Sequence, residues 1–192
     1  MRCVSYVCGT LSALVLASQA QAFPIATTGT GAKVVVGSTG NVVATYQGTS
    51  AAFTDLLYLV QPGSDVLLFN NQTSPVGTTF DLGTFAAGTE LVFRLFVTNT
   101  ETNFFTGPAS RNPDGFAHAN VDASFAPGET LVSFEDLLNG PFDYNDLSFS
   151  FTNTVSVSPD VPEPASWALM LVGFGAIGGA MRTRRKVAVS FG

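Results

Sequence analysis

Along the middle of the chain apolar and polar positions alternate with a period of two, and helical periodicity is weak. Ala32-Lys33-Val34-Val35-Val36, Asn41-Val42-Val43-Ala44-Thr45-Tyr46 and Val66-Leu67-Leu68-Phe69 are β-branched or aromatic runs bounded by Gly or Pro, the pattern of strands. Leu91-Val92-Phe93-Arg94-Leu95-Phe96-Val97 is longer and mostly apolar, as a central strand would be. Leu147-Ser148-Phe149-Ser150-Phe151 alternates and continues through Thr154-Val155-Ser156-Val157-Ser158. One face of that run is apolar and the other hydroxylic, which predicts a half-buried strand. Turn signals separate the runs at Pro62-Gly63, Gly77, Gly83, Ala87-Gly88, Pro127-Gly128 and Asn139-Gly140-Pro141. The pattern predicts an all-β fold, an antiparallel β-sandwich of about eight strands, with Phe side chains filling the space between sheets. There is no internal repeat and no heptad.

The two ends differ from the middle. Arg2 precedes an apolar stretch from about Val4 to Ala17, and Ala20-Gln21-Ala22 is a small-x-small cleavage site. This predicts a secretory signal peptide over residues 1–22. Cys8 lacks the Leu-Ala-Gly type of box that lipoprotein processing uses. Both cysteines, Cys3 and Cys8, fall inside the leader, so the mature chain would have no thiol for a disulfide, a nucleophile or a metal. Residues 23–152 are expected to form the β domain and 153–161 a Ser/Val/Pro linker. At the other end Pro162-Glu163-Pro164 precedes an apolar run from Ala165 to Met181. At about 17 residues it sits at the lower limit for a membrane-spanning helix. Gly173, Gly175, Gly178 and Gly179 suit close helix packing in a membrane, and Arg182, Arg184, Arg185 and Lys186 would stay cytoplasmic.

Taken together, VPEPASWALMLVGFGAIGGAMRTRRK resembles the PEP-CTERM protein-sorting signal of Gram-negative bacteria, in its PEPxxWA form. Pro162, Glu163 and Pro164 with Trp167 and Ala168 supply the motif, the glycine-containing run the span, and Arg182, Arg184 and Arg185 the basic end. The resemblance covers about residues 161–186, with the sorting signal itself taken as 162–186, and 187–192 extend past it as a tail. It implies recognition by exosortase, an integral-membrane transpeptidase. The helix would be a transient inner-membrane anchor, removed as the protein reaches the cell surface or extracellular matrix. The setting it implies is extracellular polysaccharide or biofilm.

Charge sharpens this picture. Only 11% of residues are charged, against roughly 25% in an average soluble protein. Residues 23–160 carry three basic side chains and thirteen acidic ones, so the exported part is strongly acidic. That balance excludes a nucleic-acid partner, which needs a basic footprint, and favours divalent cations.

The acids concentrate in one patch, Phe134-Glu135-Asp136-Leu137-Leu138-Asn139-Gly140-Pro141-Phe142-Asp143-Tyr144-Asn145-Asp146-Leu147. Glu135, Asp136, Asp143, Asn145 and Asp146 offer the oxygen donors that Ca²⁺ takes. Asp136 and Asp143 are equally suited to capping turns through backbone N–H groups with no ion. The spacing is not that of an EF-hand. The patch resembles the FEDL…DYND signature of bacterial extracellular β-domains associated with calcium binding, over residues 131–152. Leu138-Asn139-Gly140-Pro141-Phe142 carries fewer carboxylates than the Gly- and Asp-rich gap usual there.

Other chemistry is thin. His118 has no partner at metal-ligand spacing, and no G-x-S-x-G elbow accompanies it. A catalytic triad would require His118 to lie within reach of a Ser and a carboxylate in a cleft. Tyr46, Tyr58 and Tyr144 are candidates for stacking on sugars, or for core and cross-strand pairs. The threonines lack the regular repeat that a flat ice-binding array needs. The leading expectation is therefore a non-enzymatic surface or matrix module. A carbohydrate-binding module is the alternative, and a secreted hydrolase stands behind both.

Overall fold

The computed structural model describes residues 22–159, 172–179 and 182. Most of the leader, the Pro-Glu-Pro motif with Trp167 and Ala168, Arg184 and Arg185 lie outside the described residues.

Among the described residues there are twelve strands in three antiparallel sheets, more than the eight expected. Strands β1 (Lys33–Val36), β6 (Glu90–Leu91) and β12 (Thr154–Val157) form a three-stranded sheet in the order β12-β1-β6. The five-stranded sheet contains β2 (Gly40–Gly48), β5 (Thr79–Phe85), β9 (Ala119–Ala126), β10 (Glu129–Phe134) and β11 (Leu147–Thr152), ordered β5-β2-β11-β10-β9. The four-stranded sheet has the order β4-β3-β7-β8. Its strands are β3 (Asp55–Leu59), β4 (Val66–Asn70), β7 (Phe93–Val97) and β8 (Thr102–Phe105).

The extra strands arise where one sequence run serves two sheets. The run from Leu91 to Val97 is broken at Val92: Leu91 pairs with Val34 of β1, whereas Phe93 pairs with Leu59 of β3. The run from Leu147 to Ser158 is likewise two strands, divided at Asn153 with φ +57°. Asn153 secures that corner, its Oδ1 accepting from the Ser38 N–H at 3.2 Å and its Nδ2 donating to the Ser38 carbonyl at 2.8 Å. The strand ladder therefore runs to Val157, paired with Lys33, through residues expected to be linker.

Alternation places one face of each long strand in a common core. Val42, Ala44 and Tyr46 of β2, Leu57 and Leu59 of β3, Phe93, Leu95 and Val97 of β7, and Phe149 and Phe151 of β11 are all buried. Phe93 stacks on Phe151 at 4.1 Å between ring centroids and meets Phe149 edge-on at 5.9 Å. These aromatic contacts join the four-stranded sheet to the five-stranded one.

The hydroxyl face of β11 is not half-exposed as expected; Ser148 and Ser150 are buried. The chain entering β1 crosses that face as a strap. Phe23 packs where Gly48 lacks a Cβ, and the Ala26 N–H donates to Ser133 Oγ at 2.8 Å. Asn120 Nδ2 donates to the Ala26 carbonyl at 2.9 Å. Gly29, at φ +73°, lies so close to β9 that a Cβ there would collide with the Val121 carbonyl. Beneath the strap Ser133 and Ser148 hydroxyls bond each other at 2.7 Å, which satisfies polar groups that burial would otherwise penalise.

Residues 172–179 are helical and present Val172, Phe174 and Ile177 to solvent. Among the described residues no helix is long and apolar enough to cross a membrane.

Candidate functional site, a buried carboxylate cluster between sheets

Strands β10 and β11 part company after the pair Phe134–Leu147, so Glu135 and Asp136 leave one strand where Asp146 enters the other. The Asp146 N–H still donates to the Phe134 carbonyl at 3.1 Å, and the Asp136 N–H donates to Asp146 Oδ2 at 2.8 Å. One oxygen each of Glu135, Asp136 and Asp146 thus gathers within 4.8 Å of the others. Glu135 and Asp136 are buried, and Asp146 is partly so.

Turn capping is present, through residues other than those anticipated. Glu135 Oε1 accepts from the Leu137 N–H at 3.1 Å and Oε2 from the Asp143 N–H at 3.3 Å. Asp143 and Asn145 stand beside the cluster. The Asn145 amide donates to Asp143 Oδ2 at 2.6 Å, and Ser50 Oγ bonds Asn145.

Sequence reading missed Asp55. It opens β3 on the same face as Leu57 and Leu59, so the strand's alternation turns its carboxyl into the core. It is 0% exposed. Asn71 Nδ2 donates to its Oδ2 at 3.2 Å, while Oδ1 has no hydrogen-bond partner. Its carboxyl lies near enough to Asp136 and Asp146 for their charges to act on it. The signal in the sequence was one acid heading the apolar run Asp55-Leu56-Leu57-Tyr58-Leu59.

Burial, then repulsion from Asp136 and Asp146, pushes the Asp55 carboxyl up to about 8. Burial and the Asp146 charge push Glu135 and Asp136 each to about 7. Burial also raises Asp146. Removing these carboxylates from water disfavours their charged forms, and crowding them adds to the effect. The arginines of the β domain are committed elsewhere, Arg94 to Asp65 at 2.8 Å and Arg111 to Glu90 at 2.7 Å. Protons or a bound cation can neutralise the cluster. An all-oxygen set of carboxylates suits a hard divalent ion.

His118 supports the cluster from behind. The Glu135 N–H donates to the His118 carbonyl at 2.9 Å, and His118 Nδ1 donates to the Glu135 carbonyl at 3.0 Å. Its Nε2 lies 2.9 Å from Asp114 Oδ2. The ring is fully buried and stacks on Phe104 at 3.8 Å. Both ring nitrogens are engaged by acceptors, neither of them a serine hydroxyl. Of the tyrosines, Tyr46 is buried, Tyr58 lies under the Arg94 guanidinium at 4.2 Å, and Tyr144 donates to the Ala117 carbonyl at 3.1 Å. Open hollows of about 500 and 590 Å³ are lined by none of the cluster carboxylates and not by His118; one is lined by residues including Glu101, Phe105 and Arg111, the other by Phe23, Tyr46, Gln47 and Thr49 among others.

The family model for the PEP-CTERM protein-sorting motif matches residues 160–186. No curated protein matches the chain, and no solved structure does. The chain carries a PEP-CTERM signal, which implies export and a transient, membrane-anchored sorting step in which exosortase, a membrane enzyme, processes the chain.

Proposed function

We propose that this chain is a non-enzymatic cell-surface or extracellular-matrix protein. Its β domain is a sandwich stabilised by a calcium ion at the carboxylate cluster, and it works among extracellular polysaccharide or in biofilm. The observation that carries the sorting part is the motif at residues 160–186. The N-terminal leader with cleavage after Ala22 would start export. The C-terminal apolar run would hold the chain at the inner membrane until the exosortase-type transpeptidase removes it. Contacts between Phe93 and the β11 phenylalanines support the sandwich. Glu135, Asp136 and Asp146, gathered at its end with oxygen donors only, support the calcium reading. Burial of the cluster and of His118 supports a structural role over a catalytic one.

The sorting reading is tested by replacing Pro162, Glu163 and Pro164 with alanine in cells that contain an exosortase. Wild type should leave the membrane fraction as a shortened chain, and the variant should stay there at full length. Equal release of both would remove the reading.

The alternative, a carbohydrate-binding module, draws on the outer face of the four-stranded sheet, where Tyr58, Phe96 and Phe105 are partly exposed. Retardation of the protein in gels containing the host's exopolysaccharide, lost in Phe96→Ala/Phe105→Ala, would favour it.

A further inference from the structure

Resting on the calcium reading above, we infer that the ion is shared between the two large sheets, with Asp55 Oδ1 of β3 as a ligand alongside Glu135, Asp136 and Asp146 of the β10–β11 loop. Asp55 is the one charged residue of its strand and points inward with Leu57 and Leu59. A carboxylate oxygen with no hydrogen bond at zero exposure is costly, and such groups are rarely left without a partner. Its other oxygen and its backbone are already fixed by Asn71, through the Asp55 N–H to Asn71 Oδ1 at 2.9 Å and the Asn71 N–H to the Asp55 carbonyl at 3.1 Å. Asn71 is itself positioned by donating to the Phe53 carbonyl at 2.9 Å. Asp55 stands outside the three whose oxygens already lie within 4.8 Å of one another, but its charge interacts with those of Asp136 and Asp146, so binding of the ion would draw its free oxygen in toward theirs. A proton shared with Asp136 would also satisfy it. A cation satisfies it and relieves the repulsion among all four carboxyl groups at once.

An ion in this place acts as a clasp. The three loop ligands alone would tie β10 to β11, which already pair in one sheet. Adding Asp55 ties that sheet to β3 of the other, a contact no strand ladder supplies.

The test uses the full chain in detergent micelles, titrated with Ca²⁺ into the millimolar range that extracellular modules require. Direct binding is followed by calorimetry, and melting is compared in Ca²⁺ and in chelator. Asp55→Asn should bind Ca²⁺ about tenfold or more weakly and lose most of the calcium-dependent rise in Tm. In chelator it should melt no lower than wild type. Equal affinity and an equal Tm rise in wild type and variant would overturn the shared-ion inference and leave a loop site. No binding by wild type would overturn the calcium reading itself. Should the variant fail to fold, hydrogen exchange of wild type decides. Added Ca²⁺ should slow exchange in residues 55–59 as well as 135–146, and protection confined to 135–146 would overturn the inference.

Discussion

Asn71 and Asp55 are joined by three hydrogen bonds, two through the Asp55 backbone and one to its Oδ2, and Asp55 Oδ1 has none. The pair fixes a buried carboxyl while leaving half of it unsatisfied. The same relationship reaches Tyr46, whose hydroxyl donates to the Asn71 carbonyl at 3.2 Å. Burial and then the nearby Asp55 charge push that phenol up to about 12.

The metal-free protein should lose stability as pH rises. Asp55, Glu135, Asp136 and Asp146 all bind protons more tightly folded than unfolded. The contribution of Asp55, Glu135 and Asp136 is full below the ordinary carboxylate range, near 4, and is lost as pH climbs through about 7 to 8, and Asp146 adds to it in the same direction. At the acid end Asp114 and Asp122 act oppositely. Burial opposes ionisation of Asp114, but donors at Asn139, His118 and Phe116 outweigh it, and Ser124 donors hold Asp122 low. Their stability is present above about pH 4 and lost below it. In chelator, Tm should fall by about 5 °C or more between about pH 5 and pH 8.5. A flat profile would contradict the arrangement.

Ser133→Ala should cost about 1–3 kcal/mol, because it strands the buried Ala26 N–H and removes the partner of Ser148. The strap should also open. Limited proteolysis should cut between residues 23 and 32 faster in the variant than in wild type.

Phe93→Ala should cost about 3–5 kcal/mol, since it empties the contact with Phe149 and Phe151 between two sheets. Urea unfolding should show a lower midpoint. An unchanged midpoint would mean that the sheets are not docked through these rings.

At the corner between β11 and β12, Asn153→Ala should cost about 1–2 kcal/mol by losing the bonds to Ser38 and straining the left-handed backbone. Asn153→Gly restores the backbone freedom alone and should recover part of that loss. Equal Tm for both variants would show that backbone strain contributes nothing.

Much of this protein was determined by adjacent residues. The sorting signal is a contiguous motif, read along residues 160–186 without a fold. Strands β1, β2 and β4 were legible because a two-residue period bounded by turn residues is local chemistry. The Glu135, Asp136 and Asp146 gathering was legible because one loop carries them. Tertiary structure decided the rest. Val92 and Asn153 divide apolar runs because their two halves find partners in different sheets, which no local pattern encodes. The serine face of β11 is buried because a strap from the start of the β domain lies over it. Asp55 joins the carboxylates because β3 docks its inward face opposite the β10–β11 loop. Proximity of that kind comes from sheet packing, and alternation along one strand cannot reveal what lies across the core.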